Sequence, residues 1–287
     1  MVGVTQNKQD SLTRRVHRLY GELPEGERKA ADFILEQPGE LAMLAAGELA
    51  DRVGISKATV SRFFRRLGYV SFEEARRAAR AMRASGSPLY LAEVDRTPKQ
   101  GSVITRAMAA ENRVVEGSLA LQNPLTVDAV TGALATARRV CVAGFRNSHF
   151  AAAYFASTLA QLRPGVTLLN APGQTLGEGL ADLGPGDMVV VVALRRRPSG
   201  FVDLVRILSA TGADVVLIAD RSIREAPAFA RWTLTCLVEM PQLLDSYAGV
   251  LAVLRLLAFE TMRRLGVEAR RRLETIEARH DALAELE

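Results

Sequence analysis

The fold of the first part of the chain is decided by residues Ala45–Tyr69, which read AAGELADRVGISKATVSRFFRRLGY. Leu49 and Val53 are four residues apart, as one face of a short helix requires. Gly54 then interrupts this pattern with a residue that tolerates positive φ, and Ser56 is a suitable N-cap for a second helix. The stretch therefore predicts a helix, a tight turn and a second helix.

The second helix is predicted to have an apolar inner face and a polar outer face. The inner face is formed by Val60, Phe63, Phe64 and Leu67, and Gly68 follows at a plausible C′ position. No acidic residue occurs between Asp51 and Glu73. Hydroxyl and guanidinium groups suit phosphates and base edges, although a basic helix surface can also be only a solvated face. The DNA-binding candidates are Ser56, Lys57, Thr59, Ser61, Arg62, Arg65 and Arg66.

Composition allows a large buried core and a nucleic-acid partner. The chain has 287 residues, of which 48% are hydrophobic, so two domains are expected. Its formal net charge of +5 permits nucleic-acid binding but does not prove it. Cys141 and Cys236 lie in apolar runs and are expected to be buried thiols. The sequence shows neither an apolar signal core nor a membrane-length apolar run, so we expect a cytoplasmic protein that does not bind a membrane.

From Arg139 onward, short apolar runs alternate with helical segments. The run Val189–Val192 has too little polarity for a half-exposed strand and suits the centre of a parallel sheet. The predicted strands are Val140–Gly144, Val166–Asn170, Asp187–Leu194, Asp214–Asp220 and Trp232–Val238. The helices predicted around them are Ser148–Leu162, Thr175–Leu183, Gly200–Thr211, Leu243–Leu265 and Val267–Glu287. The predicted fold class is α + α/β, with an all-helical N-terminal helix-turn-helix domain followed by a doubly wound parallel sheet.

The segment Leu23–Arg76 resembles the N-terminal domain of RpiR-type bacterial transcriptional regulators. The resemblance rests on Leu23-Pro24 at the start of a helix, on Glu48-Leu49-Ala50 in the first motif helix and on Ala58–Arg62 in the second. It implies a helical DNA-binding domain joined to a sugar isomerase (SIS) domain that senses a metabolite. It also implies a homodimer or homotetramer.

The predicted domain division follows a change of composition. Residues Ser85–Ser102, SGSPLYLAEVDRTPKQGS, mix glycine, serine, proline and polar residues and are the best candidate for a linker. We predict a helix-turn-helix domain over residues 1–85 and a linker with a connecting helix over residues 86–122. The SIS domain is predicted over residues 123–265 and a helical tail over residues 266–287.

Ligands of open parallel sheets bind at the carboxyl ends of the strands, so the loops after the first and third strands are of interest. In the first loop, a glycine at the strand end and a serine that opens a helix place N–H groups and a hydroxyl where an anion is favoured. SIS domains use this loop for sugar phosphates, usually as Gly-x-Gly-x-Ser, and here Arg146 stands in place of the middle glycine. The effector-binding candidates in this loop are Gly144, Arg146, Asn147 and Ser148.

The second loop, Leu194–Gly200, contains three consecutive arginines where similar proteins have a loop rich in serine and threonine. Either these arginines bind a more highly charged anion, or they form a solvated turn and the sugar-phosphate site has been lost. The effector-binding candidates in this loop are Arg195, Arg196, Arg197 and Ser199.

We interpret the sequence as that of a transcriptional regulator that binds double-stranded operator DNA and senses a small anionic metabolite, such as a phosphorylated sugar. One alternative is a sugar-phosphate isomerase with a vestigial DNA-binding domain, for which His149, Glu178 and Glu239 would be the candidate bases. Another is a chromosome-binding protein without an effector. No spacing typical of a metal or nucleotide site is present, so neither a cofactor nor catalysis is expected.

Overall fold

The structure is a computed structural model that describes residues 12–84, 102–240 and 244–285. Residues 12–84 form one compact unit, and residues 102–239 with 245–285 form a second. Of the predicted linker, only Ser102 lies within the described residues. Its hydroxyl accepts a hydrogen bond from the Thr105 N–H at 3.1 Å and so caps the helix that follows.

The first unit is all-helical, as predicted. Its largest buried side chains include Phe63 and Phe64, whose ring centroids are 5.1 Å apart, and Phe72 packs edge-on against Phe64 at 5.3 Å. These rings join the second motif helix to its neighbours in one core. The helices are α1 (Leu12–Leu19), α2 (Glu25–Glu36), α3 (Ala46–Val53), α4 (Lys57–Arg66) and α5 (Phe72–Ala84), with single 3₁₀ turns at Tyr20–Glu22 and Glu40–Ala42.

The second unit is built on a five-stranded parallel sheet with strand order β2-β1-β3-β4-β5. The strands are β1 (Val140–Gly144), β2 (Val166–Leu168), β3 (Met188–Ala193), β4 (Asp214–Asp220) and β5 (Trp232–Cys236). The predicted strands are therefore confirmed. Strands β2, β3 and β5 are each two residues shorter than predicted. The chain turns at Leu169 after β2, β3 lacks one predicted residue at each end, and β5 leaves the ladder after Cys236.

Helices cover both faces of this sheet, which confirms the predicted doubly wound fold. Helices α7 (Pro124–Thr136), α8 (Ser148–Leu162) and α11 (Ala248–Leu265) pack on one face, and α10 (Phe201–Ala210) packs on the other. Cys141 and Cys236 are buried and unpaired, as predicted, and burial raises the pKa of the Cys236 thiol to about 12. The helices are α6 (Val103–Ala120), α7 (Pro124–Thr136), α8 (Ser148–Leu162), α9 (Leu176–Leu180), α10 (Phe201–Ala210), α11 (Ala248–Leu265) and α12 (Val267–Leu283).

The start of α11 differs from the sequence-based prediction. The helix was expected to begin at Leu243, which lies outside the described residues, but it begins at Ala248. The segment Asp245–Tyr247 is not helical because its groups bond elsewhere. The Ser246 N–H, for example, donates to the Val238 carbonyl at 3.0 Å.

Helix α6 packs closely on α11 at a glycine. A Cβ at Gly249 would lie 2.2 Å from the Ser118 hydroxyl and 2.7 Å from the Val114 carbonyl oxygen. The same Ser118 hydroxyl accepts a hydrogen bond from the Leu237 N–H, just beyond β5, at 2.9 Å. Helix α6 is therefore attached to the α/β unit through both α11 and the end of the sheet. Among the described helices, none combines the length and apolarity needed to cross a membrane.

Candidate functional sites

The first candidate site is the turn that presents α4. Gly54 has φ 67°, in the left-handed region that glycine tolerates best, and the Ile55 N–H donates back to the Ala50 carbonyl at 3.0 Å. The Ser56 hydroxyl then accepts from the Thr59 N–H at 3.1 Å and caps α4. The predicted helix, turn and second helix are confirmed, with Val60, Phe63, Phe64 and Leu67 buried.

The outer face of α4 carries the predicted DNA-binding residues. Ser56, Lys57, Arg62, Arg65 and Arg66 are exposed, and Thr59 and Ser61 are half-buried. Arg62 donates to the Thr59 hydroxyl at 3.2 Å, so part of its hydrogen-bonding capacity is used within the helix. Arg66 pairs at 2.8 Å with Glu27, a buried carboxylate of α2. None of these contacts tests DNA binding, which stays a prediction for each residue.

Two other basic side chains of this unit hold backbone carbonyls in place. Arg15 is buried, donates to the Leu67 carbonyl at the end of α4 at 3.1 Å and stacks on the Tyr69 ring at 4.4 Å. Arg80 of α5 donates to the Ala42 carbonyl at 2.8 Å. These residues position α4 and α5. Their partners are far away in sequence, so no local pattern could have indicated them.

The second candidate site is the edge of the sheet where β1 and β3 end. These two strands are parallel neighbours, so the loops after β1 and β3 lie at the same edge of the sheet. In the order β2-β1-β3-β4-β5 the chain continues from β1 to β2 on one side and from β3 to β4 on the other, so this edge is also the switch point where ligands bind in such sheets. We call this region the effector crevice. It comprises the loops Gly144–Ser148 and Leu194–Gly200 together with Asp220 and the segment Asp245–Tyr247, which contact these loops.

The loop after β1 is shaped by a close approach of α8. A Cβ at Gly144 would lie 2.4 Å from the Ser148 carbonyl oxygen and 2.8 Å from the Ala152 Cβ, so only glycine fits there without displacement. Arg146 is exposed and has φ 55°, in the left-handed region. The position thus keeps a backbone conformation typical of glycine while it presents a guanidinium.

Two further residues of this loop open α8. Asn147 is exposed, and Ser148 is buried as the first residue of the helix. The Tyr247 ring packs against Phe150 of the same helix, with ring centroids 5.1 Å apart. Burial raises the pKa of the Tyr247 phenol, and the Ser148 hydroxyl opposes this shift. The crevice therefore contains a phenol next to a helix N-terminus, where an anion is favoured.

Arg195, in the loop after β3, is held by carboxylates. Its side chain is only 4% exposed, and its Nε donates to Asp245 Oδ2 at 2.8 Å while a second N–H donates to the other oxygen of the same carboxylate. The Glu239 carboxylate lies 3.6 Å from the Arg195 guanidinium. Arg195 therefore enters the crevice with its charge already balanced.

Arg197 is bound in a similar way, whereas Arg196 is not. Arg197 donates to the fully buried Asp220 at 2.7 Å and to the Ser222 hydroxyl at 2.9 Å. Arg196 is exposed with φ 63°, and Ser199 is also exposed. The loop is thus not simply a solvated turn, because two of its three arginines bind internal carboxylates. Whether these residues bind an effector stays a prediction.

The residues considered for isomerase chemistry are held apart by other contacts. The Nδ1 of His149 lies 3.3 Å from the Asn170 amide nitrogen, which also donates to the Gly144 carbonyl at 3.0 Å. Glu178 bonds the Thr175 N–H at 2.7 Å in a capping box of α9, and this bond lowers the pKa of Glu178. Glu239 faces Arg195. Among the described residues, no carboxylate forms an ion pair with His149.

Sequence reasoning did not identify Asp220, Asp245 or Tyr247 as parts of this site. Asp220 could have been found, because it is a charged residue at the carboxyl end of an apolar strand. Asp245 lies 50 positions from its partner Arg195, Tyr247 lies 97 positions from its partner Phe150, and no local pattern marks either residue.

The fold and sites define a helix-turn-helix protein with a doubly wound α/β domain of the type that binds small ligands. The family profile described as "Helix-turn-helix domain, rpiR family" matches residues 11–84, and the SIS domain profile matches residues 133–259. The chain belongs to the RpiR family of transcriptional regulators, with an N-terminal helix-turn-helix domain and a C-terminal SIS domain. The resemblance found in the sequence is thereby confirmed.

Two known relatives match nearly the whole chain, and a separately solved sugar isomerase domain matches part of it. The HTH-type transcriptional regulator HexR of Pseudomonas aeruginosa is 23% identical over 278 residues, which are 93% of this chain and 94% of HexR. The sugar isomerase domain of an RpiR transcription factor from Sphaerobacter thermophilus has a TM-score of 0.58 and 22% identity, and covers 62% of this chain and 99% of its own. The Vibrio vulnificus NanR protein, solved in complex with ManNAc-6P, has a TM-score of 0.56 and 16% identity over 95% of this chain and 99% of its own.

Proposed function

We propose that this protein is a one-component transcriptional regulator in which a small anionic metabolite, of the phosphorylated sugar class, controls binding of operator DNA by α4. The observation that carries the proposal is that one chain contains both a surface suited to DNA and a crevice suited to an anion. One is a capped helix whose exposed face carries cations and no acid. The other is a crevice in which a helix N-terminus, Ser148 and two exposed arginines lie at the switch point of a parallel sheet.

In this proposal the seven candidate residues of α4 and its cap divide into two roles. Arg62 and Arg65 have exposed guanidinium groups that can reach base edges or phosphates in the major groove. Ser56, Lys57, Thr59, Ser61 and Arg66 contact the DNA backbone or support the two arginines. The protein acts in the cytoplasm. It binds DNA as a homodimer or homotetramer, because one such helix seldom provides enough contact for a specific site.

The effector residues divide into those that bind the anion and those whose side chains already bind a carboxylate. The anionic group is bound by N–H groups of the α8 N-terminus and by the side chains of Arg146, Arg196, Asn147, Ser148 and Ser199. Arg195 and Arg197 act as positioning residues, because their guanidinium groups already bind Asp245 and Asp220. The complex of NanR with ManNAc-6P supports a sugar phosphate as the ligand class, since that protein shares this fold.

An active isomerase is less well supported. Aldose–ketose isomerisation needs a base that can move a proton on the bound sugar. His149 faces Asn170, Glu178 caps a helix and Glu239 faces Arg195, so the three candidates do not form one catalytic group. We propose that the SIS domain binds its ligand without turnover, and that the domain limits follow the division predicted from the sequence.

A thermal-shift measurement tests the effector part of the proposal. Glucose 6-phosphate, N-acetylmannosamine 6-phosphate and their unphosphorylated forms are each added to the full chain. A ligand at one hundred times its Kd stabilises the folded state by about 2.7 kcal/mol. We expect a phosphorylated form to raise the melting temperature and its unphosphorylated form to have no effect.

Two variants show whether the crevice is responsible. Arg146→Gly keeps the left-handed backbone while it removes the guanidinium, so it should abolish the shift without loss of stability. Arg206→Gln, on the exposed side of α10, removes an arginine outside the crevice and should keep the shift. No shift with either phosphosugar, or an equal shift in Arg146→Gly, would contradict the proposed ligand site.

A further inference from the structure

The segment Asp245–Tyr247, which precedes α11, contacts both the loop after β3 and the start of α8. The Asp245 carboxylate accepts hydrogen bonds from two N–H groups of Arg195, in the loop after β3. The Tyr247 ring packs against Phe150, in the first turn of α8, with ring centroids 5.1 Å apart. The first and third residues of this segment therefore contact the two elements between which the proposed effector would bind.

The middle residue of the segment contacts a different element. The hydroxyl of Ser246, a largely buried residue, donates to the carboxylate of Glu111 on α6. The same hydroxyl accepts a hydrogen bond from the Ala248 N–H at 3.1 Å, and so fixes the first turn of α11. A displacement of Asp245 or Tyr247 must therefore also change the position of the group that holds Glu111.

Helix α6 occupies a particular place in the chain. It begins at Val103 and is the first helix described after the DNA-binding unit, so the covalent path from that unit to the crevice passes through it. Its C-terminal half is fixed by Ser118, as described above, and Glu111 lies near the middle of the helix. In the N-terminal half, Val103 and Ile104 are 73% and 72% exposed. The bond from Ser246 to Glu111 thus ties the less buried half of α6 to the crevice.

We infer that Asp245–Tyr247 is a coupling segment through which occupancy of the effector crevice is transmitted, by way of Ser246 and Glu111, to α6 and so toward the DNA-binding unit. The inference rests on the proposed function, because it assigns the regulatory path of that same site. Arg195 positions Asp245 while the crevice is empty, and the negative charge of an anion bound in the crevice attracts the same guanidinium and so weakens its bond to Asp245. An ion pair of this kind is either formed or broken, and such a two-state element can carry coupling between sites.

Hydrogen exchange of the full chain, without any ligand, tests the path directly. Arg195→Met removes the first bond of the path and keeps the volume of the side chain. We expect the amides of α6 around Glu111 to exchange about two- to thirtyfold faster than in the wild type, as couplings of about 0.5–2 kcal/mol produce. The matched control is Arg206→Met, which removes an exposed arginine of α10 and should leave α6 unchanged.

A second variant makes the test specific for Ser246 and Glu111. Glu111→Met removes the acceptor on α6 and preserves helix propensity. In this background, Arg195→Met should no longer accelerate exchange in α6, because the path is already broken. Unchanged exchange in Arg195→Met, or an acceleration that persists undiminished in Glu111→Met, would overturn the coupling segment. Because no effector is added, this result is independent of the ligand screen, and either can fail while the other stands.

Discussion

Asp187 is a buried carboxylate at the amino end of β3, on the side of the sheet opposite the effector crevice. Arg139 Nη2 and Arg138 Nη2 each donate to it at 2.8 Å, and the Gly184 N–H donates at 3.1 Å. Hydrogen bonds from Arg139, supported by those from Arg138, hold the pKa of Asp187 well below its usual value against the opposing effect of burial. Because the folded-state pKa is the lower one, the carboxylate stabilises the fold above the unfolded pKa of about 3.9, and this stabilisation is lost as pH falls.

We predict that Asp187→Asn lowers the free energy of unfolding of the second unit by about 2 kcal/mol near neutral pH, because bonds to a charged acceptor are replaced by weaker ones. The difference from the wild type should shrink as the pH falls below about 4. Urea unfolding followed by the fluorescence of Trp232, the single tryptophan, reports this unit alone. Asp203→Asn, in an exposed pair on α10, should change stability by less than about 1 kcal/mol. A deficit in Asp187→Asn that does not depend on pH would contradict this account.

At the level of residues, the sequence predicted which side chains are buried better than it predicted which charges are paired. Val60, Phe63 and Phe64 follow from helical spacing alone, because the periodicity of a helix determines its inner face. The partners of Arg195 and Arg197 do not, since Asp245 and Asp220 are brought to them only by the tertiary fold. A run of arginines therefore indicated positive charge that the folded protein largely balances.

At the level of elements, the three central strands β1, β3 and β4 were predicted to within one residue at each end, because their apolar runs are buried on both faces of the sheet. The run Met188–Ala193 is buried throughout, as the centre of a parallel sheet requires. The start of α11 was not predicted. Leucines continue the apolar pattern of the sequence before it, but Asp245 and Ser246 make tertiary hydrogen bonds and do not join the helix. The order of the strands likewise became known only from the structure.

The contact of α6 with α11 gives a prediction at this scale. Gly249→Ala places a methyl group within 2.2 Å of the Ser118 hydroxyl and 2.7 Å of the Val114 backbone, so the two helices must separate. We expect a loss of about 1–3 kcal/mol in the unfolding free energy of the second unit, as for other overpacked sites. The same Trp232 measurement applies.

The matched control is Gly132→Ala on α7, where the new Cβ would meet only the end of the Arg264 side chain at 3.6 Å. Alanine is favoured over glycine in a helix interior, so this variant should be neutral or more stable by up to about 1 kcal/mol. If both glycine variants lose the same stability, the close approach of α6 and α11 is not what limits the site.

For the whole molecule, the number of α4 helices that bind together decides the form of the DNA site. We predict that sites selected by the full chain from random DNA contain two inverted half-sites with centres about 34–36 Å, or a multiple of that, apart. A homodimer or homotetramer should bind a single half-site much more weakly than the pair. A selected site without symmetry would contradict the proposed pairing.

Salt dependence and one arginine of α4 then separate base contacts from phosphate contacts on the selected site. Each phosphate contact adds about 0.9 to the slope of log affinity against log salt concentration. If Arg62 contacts a base, Arg62→Ala should lose about 1–3 kcal/mol of discrimination against one base pair in each half-site and keep the slope. If it contacts only phosphate, the variant should bind all DNA more weakly, and the slope should fall by about 1 per subunit. Equal affinity of the wild type for selected and scrambled DNA would instead support a general chromosome-binding protein, and would refute the regulator proposed here.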